Sequence, residues 1–446
     1  MNLTKEQMLD IYAGTKVAEI ADMFFTQPAN DYEYVERMKK SKLWRLNNLY
    51  TIVDKKGNTV KFDMNIAQHK VYAKHLEHPR LIILKSRQQG ISTLWLISFF
   101  DDCLFRPYFT SGLMAQGMDE AQMLLSRTRL LWDNLSPAVK RLLNIQVVRS
   151  NTKEFTFTNN STMFIRTSFR SATLQGLHIS EYGKIANANP ARARETKTGT
   201  LQTTAIGNTV VIESTAEGEN DYKLMWEKAV AFAGNRTPKD FIPVFLPWTD
   251  DPSCNIDEYQ EPTLVEESYF EELEIKLKQK LTVTQKNFWI AQHRELGTDV
   301  YQEYPATPEE AFLRNRDGTY YAAQYLRLVR GRKREVAGLF DRKLPVQVAV
   351  DLGRNDDFVL IFFQTFVDGW RIINSYNNMG EGIEHYCRKM KAWEEKYGYD
   401  ITKVILPHDA HVRDMTSNIT REESFWEHGY RGKTVVVPRT LISITT

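Results

Sequence analysis

The stretch Leu81–Thr93, LIILKSRQQGIST, combines the residue types that bind the phosphates of a nucleotide. Leu81–Leu84 form an apolar run that favours a buried parallel strand, and a second apolar run after Thr93 favours a helix. Phosphates are bound by backbone N–H groups at a helix N-terminus, by a nearby cation and, through Mg²⁺, by a hydroxyl. All three are available here, so the stretch predicts a phosphate-binding loop between a strand and a helix.

The predicted loop departs from the common pattern G-x-x-x-x-G-K-[ST]. Gly90 falls on the second glycine and Ser92 on the hydroxyl. Ile91 occupies the lysine position, however, and Lys85 the first glycine position. The cation must then come from Lys85 or Arg87, and the sequence leaves both open. The residues predicted to contact the nucleotide are Lys85, Ser86, Arg87, Gln88, Gln89, Gly90, Ile91, Ser92 and Thr93, with Ser92 also a ligand of Mg²⁺.

Two further apolar runs end in residues suited to nucleotide hydrolysis. LHISEYGKI places Glu181 after a strand, where a carboxylate can activate water. Ser180 stands before it, where P-loop enzymes commonly have an Asp that holds Mg²⁺. NTVVIEST ends in Ser214 and Thr215, whose hydroxyls are predicted to sense the γ-phosphate. The alternatives are an ordinary surface turn for Glu181 and helix capping for the two hydroxyl residues.

Three polar side chains outside these runs are also candidates. The amide of Gln68, in NIAQHK, is predicted to bind the edge of adenine through its donor and acceptor. Arg166 and Arg170, in FIRTSFRSATLQG, are predicted to reach a γ-phosphate in their own subunit or a neighbour's. A solvated or DNA-facing charge is the alternative for either arginine.

Carboxylates at two later strand ends predict a second, metal-dependent site. VAVDLGRNDDF places Asp351 at the end of one strand, and KVILPHDAHVRD places Asp409 at the end of another. Such a pair suits Mg²⁺ or Mn²⁺ and phosphodiester cleavage, with Asp357 as an auxiliary ligand. Either Asp alone is more often a turn or cap residue. His408 and His411 flank Asp409, but no further Cys or His accompanies them, so zinc is not expected.

The order of the predicted elements places both sites on α/β sheets. Strands alternate with helices from about residue 65 to 250, which predicts a mostly parallel sheet with helices on both faces. From Val346, three hairpin-like strands followed by helix, strand, helix and strand predict a ribonuclease H-like core. The predicted strands of the first sheet are Leu81–Leu84, Ser111–Ala115, Phe155–Phe157, Met163–Arg166, Leu177–Ile179 and Thr209–Ile212. The predicted division is an N-terminal helical and hairpin extension over 1–60, a P-loop ATPase core over 61–258, a helical lid or connector over 259–340 and a nuclease domain over 341–446.

Composition narrows the class of protein without deciding its function. A chain of 446 residues with 42% hydrophobic and 26% charged residues fits a soluble protein of two or three domains. A net charge of +2 argues neither for nor against nucleic acid. Three widely separated cysteines form no metal-ligand pair and favour a reducing, cytosolic setting. The longest apolar run, Leu94–Phe100, is too short to span a bilayer, and the N-terminus is typical of an amphipathic helix, not a signal peptide.

Taken in order, these motifs resemble one family of viral motors. Gln68, KSRQQGIST, LMAQGMDEAQ, SFRSATLQGLHISE and VVIESTAEG resemble the ATPase motor of the large terminase subunit of tailed bacteriophages. EYPATPEEAF (Glu303–Phe312) resembles the segment that follows that motor, and the resemblance extends over roughly residues 60 to 440. In this family a basic residue near the start of the loop often replaces the usual lysine, which suits Lys85 and Arg87. Ser180 departs from the family's usual Asp.

The resemblance implies a fold, an activity and a set of partners. The fold would be a P-loop NTPase of the ASCE type followed by a ribonuclease H-like nuclease. The protein would hydrolyse ATP with Mg²⁺, with Glu181 as base, and translocate double-stranded DNA into a procapsid. It would cut concatemers with Mg²⁺ or Mn²⁺ at Asp351 and Asp409. The implied partners are the portal protein, the small terminase subunit and copies of itself in a ring on the portal, in the host cytoplasm and outside the mature virion.

The end of the chain departs from the family pattern. A third acidic residue is expected on a helix after the last strand, yet no carboxylate follows Glu427. We expect a shortened nuclease domain with weakened cleavage, unless a group such as Asp414 substitutes. Two other functions stay open: a helicase-like or remodelling ATPase with a degenerate nuclease domain, and a DNA-binding adaptor that does not hydrolyse ATP. Ile91 and Ser180 are the residues that favour the adaptor.

Overall fold

The chain folds into two compact units, residues 1–317 and 318–446. A computed structural model describes residues 3–170, 172–232, 234–312, 336, 338–353, 358–367, 369–413 and 419–438. Each unit has its own β-sheet and its own apolar core. The predicted class is confirmed, since a large and mostly parallel α/β sheet precedes a second α/β domain.

The first unit consists of helices and strands that alternate along its middle part. Its helices are α1 (Lys5–Ile11), α2 (Lys16–Glu19), α3 (Asp31–Lys40), α4 (Lys42–Asn48), α5 (Ile66–Glu77), α6 (Ile91–Phe105), α7 (Met118–Asn134), α8 (Pro137–Leu143), α9 (Tyr182–Ala188), α10 (Pro190–Thr198), α11 (Asp221–Ala231), α12 (Leu264–Leu277), α13 (Val283–Leu296), α14 (Val300–Glu303) and α15 (Pro308–Ala311). Its strands are β1 (Thr51–Val53), β2 (Thr59–Lys61), β3 (Arg80–Lys85), β4 (Thr110–Met114), β5 (Val147–Ser150), β6 (Glu154–Phe157), β7 (Thr162–Arg166), β8 (Leu174–Ser180), β9 (Thr204–Ser214) and β10 (Ile242–Leu246).

The strand order of the large sheet determines where the functional loops meet. Eight strands lie in the order β10-β3-β9-β8-β4-β7-β6-β5. The first six of these pair in parallel, and β6 and β5 continue the sheet antiparallel. The carboxyl ends of β3, β9 and β8 therefore lie side by side at one edge, where ligands of open α/β sheets bind.

Strand β3 is buried on both faces, which explains its continuous apolar run. Successive side chains of a strand point to opposite faces. Leu81 and Ile83 accordingly join one apolar cluster, whereas Ile82 and Leu84 join another. The N-terminal helices pack into the first of these clusters, and the helices after β10 form a third cluster of their own.

The second unit is built on a five-stranded sheet with mixed strand directions. Its strands are β11 (Val346–Asp351), β12 (Phe358–Phe366), β13 (Gly369–Asn378), β14 (Ile401–Leu406) and β15 (Thr434–Val436), in the order β13-β12-β11-β14-β15. Its helices are α16 (Ile383–Tyr397) and α17 (Arg421–Phe425). The first three strands pair antiparallel, and β14 and β15 then continue parallel to β11. This is the strand, helix and strand sequence that the amino-acid pattern predicts.

All six predicted strands of the first sheet are present, with ends shifted by a few residues. Two strands were missed, β5 and β10. Strand β10 contains Pro243, and proline within a strand is confined to edges, which is where β10 lies. Strand β5 also lies at an edge and is largely exposed, so it lacks an apolar pattern. None of the helices in the described parts of the chain has the length and the apolar content that a membrane span requires. The four-part division of the chain stays a prediction.

Candidate functional site

The candidate site of the first unit lies where three parallel strands end. Lys85 ends β3, Ser180 ends β8, and Glu213 and Ser214 end β9. The register places Ser180 beside Glu213 and Leu84 beside Ser214. The predicted phosphate loop leaves the same edge between β3 and α6. Hence side chains from distant parts of the sequence meet because the strands are parallel and adjacent.

The predicted phosphate loop has the backbone that close approach to an anion requires. Gln88 and Gly90 both have positive φ, 61° and 75°. Gly90 directly precedes α6, whose first N–H groups are free to bind an anion. A Cβ at Gly90 would lie 2.8 Å from Nε2 of Gln68, so only glycine fits there without displacement. The Ser86 N–H donates to the Leu246 carbonyl of β10 at 2.9 Å, which anchors the start of the loop.

Gln68 holds the loop in place in this structure. Its Nε2 donates to the carbonyl of Gly90 at 2.7 Å, and its Oε1 accepts from the N–H of Asn65 at 2.9 Å. The second contact belongs to a capping box that begins α5. Gln68 is buried, and its contact with adenine stays a prediction.

Lys85 lies inside the site among carboxylates. Its Nζ is 2.9 Å from Oε1 of Glu181 and 3.4 Å from Oε2 of Glu213, and the residue is only 5% exposed. Burial alone lowers the pKa of Lys85, but the two carboxylates outweigh it and raise the pKa above its usual value. The ammonium group is therefore charged at neutral pH and is positioned at the strand ends.

Arg87 lies on the outer side of the same loop. Its guanidinium is 50% exposed and pairs with the carboxylate of Glu303, with 3.3 Å between Nη1 and Oε2. The Arg87 N–H also donates to the Glu303 carbonyl at 2.9 Å. The segment Glu303–Phe312, noted in the sequence, thus begins by contacting the phosphate loop. Of the two candidate cations, Lys85 is the one that contacts Glu181 and the buried Glu213.

Glu213 was not among the site residues predicted from the sequence, yet it lies at the centre of the site. Its Oε1 accepts from the hydroxyl of Ser92, in a short hydrogen bond, and from the hydroxyl of Ser180 at 3.0 Å. The side chain is fully buried. Burial alone raises the pKa of Glu213, but Lys85, His178 and the hydroxyl of Ser92 reverse this effect, so the net pKa lies below the usual value. A glutamate inside the apolar run VVIEST was the available signal, because a buried charge requires partners.

Glu181 follows β8 in a left-handed conformation, with φ of 53°. Non-glycine residues rarely adopt this conformation, and at strand ends it is characteristic of functional sites. The turn directs Oε1 to Lys85, whereas Oε2 is 3.6 Å from Nζ of Lys184 and accepts no hydrogen bond. The carboxylate is thus held at the edge of the sheet between Lys85 and Lys184, and its Oε2 accepts no hydrogen bond.

Ser214 and Thr215 have different surroundings although they are adjacent. The hydroxyl of Ser214 accepts from the Gly183 N–H at 2.9 Å and so links the end of β9 to the turn that carries Glu181. A Cβ at Gly183 would lie 2.7 Å from that oxygen, so glycine is required for this contact. Thr215 is 2% exposed, and its hydroxyl has no hydrogen-bond partner. An unpaired buried hydroxyl at a strand end is available to a ligand.

The two predicted arginines pair with acids in the first unit. Arg170 is 70% exposed, and its Nε donates to Oε1 of Glu195 on α10 at 2.5 Å. Arg166 lies over the ring of Phe164 and is 3.8 Å from Glu154. Neither contact involves the phosphate loop. An exposed arginine such as Arg170 is suited to act on a neighbouring molecule, and this role stays a prediction.

In the second unit, the two predicted aspartates lie at the ends of neighbouring parallel strands. Asp351 ends β11 and is exposed, and Asp409 follows β14 in a single turn, His408–His411. Oδ2 of Asp409 accepts a hydrogen bond from Nη1 of Arg421 at 2.7 Å, so this carboxylate is already paired with an arginine. Asp356, Asp357 and Asp414 lie outside the described residues. Within the described parts of both units, no group of three or more His, Cys, Asp or Glu could hold a metal ion.

The solved structures that this chain resembles include several phage large terminases. The HK97 bacteriophage large terminase matches at 11% identity and a TM-score of 0.39, over 91% of this chain and 85% of that one. The ATPase domain of the Thermus phage P74-26 large terminase matches at 14% identity and a TM-score of 0.32, over 51% of this chain and 88% of that one. The large terminase of thermophilic bacteriophage D6E in complex with ATP-γ-S matches at 12% identity and a TM-score of 0.28, over 82% of this chain and 78% of that one. All three are large terminases. No protein-family model and no curated protein matches the sequence.

The donor set at the first sheet edge fits a nucleotide with Mg²⁺. Mg²⁺ is commonly held by one or two protein oxygens together with substrate phosphates, so a cage of three acids is not required. Oε2 of Glu213 and the hydroxyl of Thr215 are buried oxygens that accept no hydrogen bond, as expected where a ligand completes the site.

Proposed function

We propose that this protein is the ATP-driven motor subunit that packages phage DNA into a procapsid. The observation that supports this most strongly is the convergence of a glycine-containing phosphate loop, Lys85, Ser92 and Glu181 at one edge of a parallel sheet. Cation, helix N-terminus, hydroxyl and carboxylate are the groups that phosphoryl transfer to water needs. The sequence resemblance to large terminases adds the substrate, double-stranded DNA, and the partners, a portal protein, a small terminase subunit and further copies in a ring.

In the proposed mechanism, the first turn of α6 and the loop around Gly90 bind the ATP phosphates. Lys85 supplies the charge that the missing loop lysine would have supplied, because its Nζ lies at the strand end next to the loop. Ser92 would hold Mg²⁺ in part, and the bound ion would supply positive charge to the phosphate oxygens. When Lys85 turns to a phosphate, it gives up its contact with Glu181, which becomes free to accept a proton from the attacking water.

Ser214 and Thr215 are proposed to couple hydrolysis to movement. The hydroxyl of Ser214 contacts Gly183 in the turn after Glu181, and that of Thr215 is unpaired. A change at the γ-phosphate would thus be transmitted to the end of β9. Arg170 is proposed to act on the γ-phosphate of a neighbouring subunit, since its exposed position suits a contact between copies.

For the second unit we propose a weak Mg²⁺- or Mn²⁺-dependent endonuclease with Asp351 and Asp409 as ligands. The adjacent strand ends support it, and the ion pair between Asp409 and Arg421 works against it, because the arginine competes with a cation for the same oxygen. Cleavage is therefore expected to be slow and to rise with metal concentration.

The test of the proposed function is ATP turnover by the full chain with Mg²⁺, with and without DNA and portal protein. DNA-stimulated turnover and packaging into procapsids support the motor. Strand unwinding without any capsid partner would instead favour a helicase-like ATPase. Absence of turnover with DNA and partner proteins present would favour the adaptor that does not hydrolyse ATP.

A further inference from the structure

Ser180 poses a specific problem for Mg²⁺ in the proposed ATPase. A hard divalent cation prefers carboxylate oxygens, and a serine hydroxyl supplies no charge. Ser92 is the second hydroxyl at the same place, with 3.2 Å between its Oγ and that of Ser180. Two neutral hydroxyls alone would leave the metal without an anionic protein ligand.

The acid that is missing from β8 is present on the next strand. Glu213 is the direct neighbour of Ser180 across the parallel pair β8 and β9. One oxygen of its carboxylate contacts both hydroxyls, those of Ser92 and Ser180. A cation that touches Ser92 is therefore within reach of this carboxylate without a change in the sheet.

Glu213 also has an oxygen to spare. Oε2 is buried and accepts no hydrogen bond, and its nearest cation, Nζ of Lys85, is 3.4 Å away. His178, fully buried on β8, lies 3.5 Å from Oε1, and both of its ring nitrogens also lack hydrogen bonds. A carboxylate kept only to pair with Lys85 would be expected to have that oxygen hydrogen-bonded, because an unsatisfied buried oxygen is costly.

We infer that Glu213, together with Ser92, holds the Mg²⁺ of the bound nucleotide in place of the Asp that Ser180 replaces. This inference rests on the proposed ATPase function and assigns one of its ligands. It also relates the two departures from the usual phosphate-loop enzymes, which are the displaced lysine, Lys85, and the displaced acid, Glu213. The acid lies on β9, next to β3, and the lysine lies at the end of β3, so Lys85 can balance the charge of Glu213 until the metal binds.

The direct test is metal binding by the full chain, measured without turnover. Mn²⁺ in the presence of ADP is followed by electron paramagnetic resonance, and ADP affinity is measured by calorimetry with and without Mg²⁺. Glu213→Gln should weaken Mn²⁺ binding about tenfold or more and remove most of the Mg²⁺ dependence of ADP affinity. ADP affinity without metal should be little changed. Glu310→Gln is the matched control, because Glu310 is also a buried glutamate but bonds to Tyr269 and to the Ala306 N–H.

Moving the acid back provides a second arm. The double variant Ser180→Asp with Glu213→Gln returns the carboxylate to β8 and should recover Mn²⁺ binding lost in Glu213→Gln. If Glu213→Gln does not fold, as judged by thermal unfolding, Glu213→Asp keeps the charge beside Lys85 but withdraws the oxygens, and it should still weaken Mn²⁺ binding. Unchanged Mn²⁺ binding in the folded Gln or Asp variant would overturn the inference. If the unaltered protein binds neither ADP nor ATP-γ-S, with or without metal, the proposed function fails and the inference fails with it.

Discussion

The eight-stranded sheet and the five-stranded sheet use the same position, the carboxyl ends of parallel strands, in different ways. In the first unit, Lys85, Glu181 and Glu213 are gathered there as a charged cluster with little exposure. In the second unit, Asp351 is exposed and Asp409 is paired with Arg421, whose side chain is 32% exposed. Burial makes charges interact strongly, and exposure weakens them through solvent.

This difference separates an edge with buried oxygens that accept no hydrogen bond from an edge whose Asp409 is already hydrogen-bonded to an arginine. The first edge has buried oxygens without hydrogen bonds, on Glu213 and Thr215. At the second edge, a cation must displace the arginine from Asp409. We therefore expect ATP turnover to depend strongly on single residues of the first edge. Substitutions at the second edge should have little effect on ATP turnover.

The largest effect on the proton-transfer step is expected at Glu181. Glu181→Gln keeps a side chain that can contact Lys85 but cannot accept a proton from water, so turnover should fall by about 10² to 10⁴. The measurement is Mg²⁺-dependent ATP turnover, with ADP binding to show that the nucleotide site is intact. Glu219→Gln is the control, since Glu219 is an exposed partner of Lys223 in the same unit. Normal turnover in Glu181→Gln would rule out its role as base.

Removal of the two candidate cations should have unequal results. Lys85→Met leaves Glu213 without its cation in a buried place, which costs about 3–5 kcal/mol in the free energy of unfolding, and turnover should be lost. Arg87→Gln removes a half-exposed pair worth about 1 kcal/mol or less, and turnover should be largely kept. Thermal unfolding and ATP turnover of both variants give the comparison. Equal loss of turnover in the two variants would contradict the assignment of Lys85 as the phosphate-binding cation. Unchanged turnover in both would refute the idea that either residue replaces the loop lysine.

The Lys85 cluster also predicts how acid affects stability. The pKa of Glu213 is lower in the folded chain than its unfolded value, so its contribution is present above the unfolded pKa and is lost as pH falls through the folded pKa. In Glu213→Gln this part of the acid sensitivity should disappear, as measured by thermal unfolding between neutral and strongly acidic pH. An unchanged acid profile would show that other groups dominate.

How far the sequence could predict the site depends on which contacts are local. The phosphate loop, the six strands and the strand-end positions of Glu181 and Asp351 were accessible, because apolar runs and the Gly-Ile-Ser-Thr segment at the start of α6 are local signals. For Glu213 the glutamate within the apolar run VVIEST was a signal, but its contacts were not predictable, because they come from its register beside Ser180 and from Ser92 across the strand ends. The choice of Lys85 over Arg87 also depends on burial, which the loop sequence does not encode.

The second edge should respond to Asp351→Ala with loss of cleavage. Slow Mn²⁺-dependent cutting of plasmid by the unaltered chain should drop about tenfold or more when one of two metal ligands is removed. Asp400→Ala is a suitable control, because Asp400 directly precedes β14 and so lies at the opposite end of that strand from Asp409. Cleavage that persists in Asp351→Ala would assign the activity to other residues.

The smallest effect on stability is expected at Arg421, and it sharpens the contrast between the two edges. Arg421→Gln breaks the 2.7 Å pair with Asp409, whose side chain is 39% exposed. Because solvent screens such a pair, the free energy of unfolding should change by less than about 1 kcal/mol. The freed carboxylate should bind Mn²⁺ more readily and raise plasmid cleavage. A large loss of stability without any gain in cleavage would mean that the pair holds the turn after β14, and that Asp409 has become a structural residue.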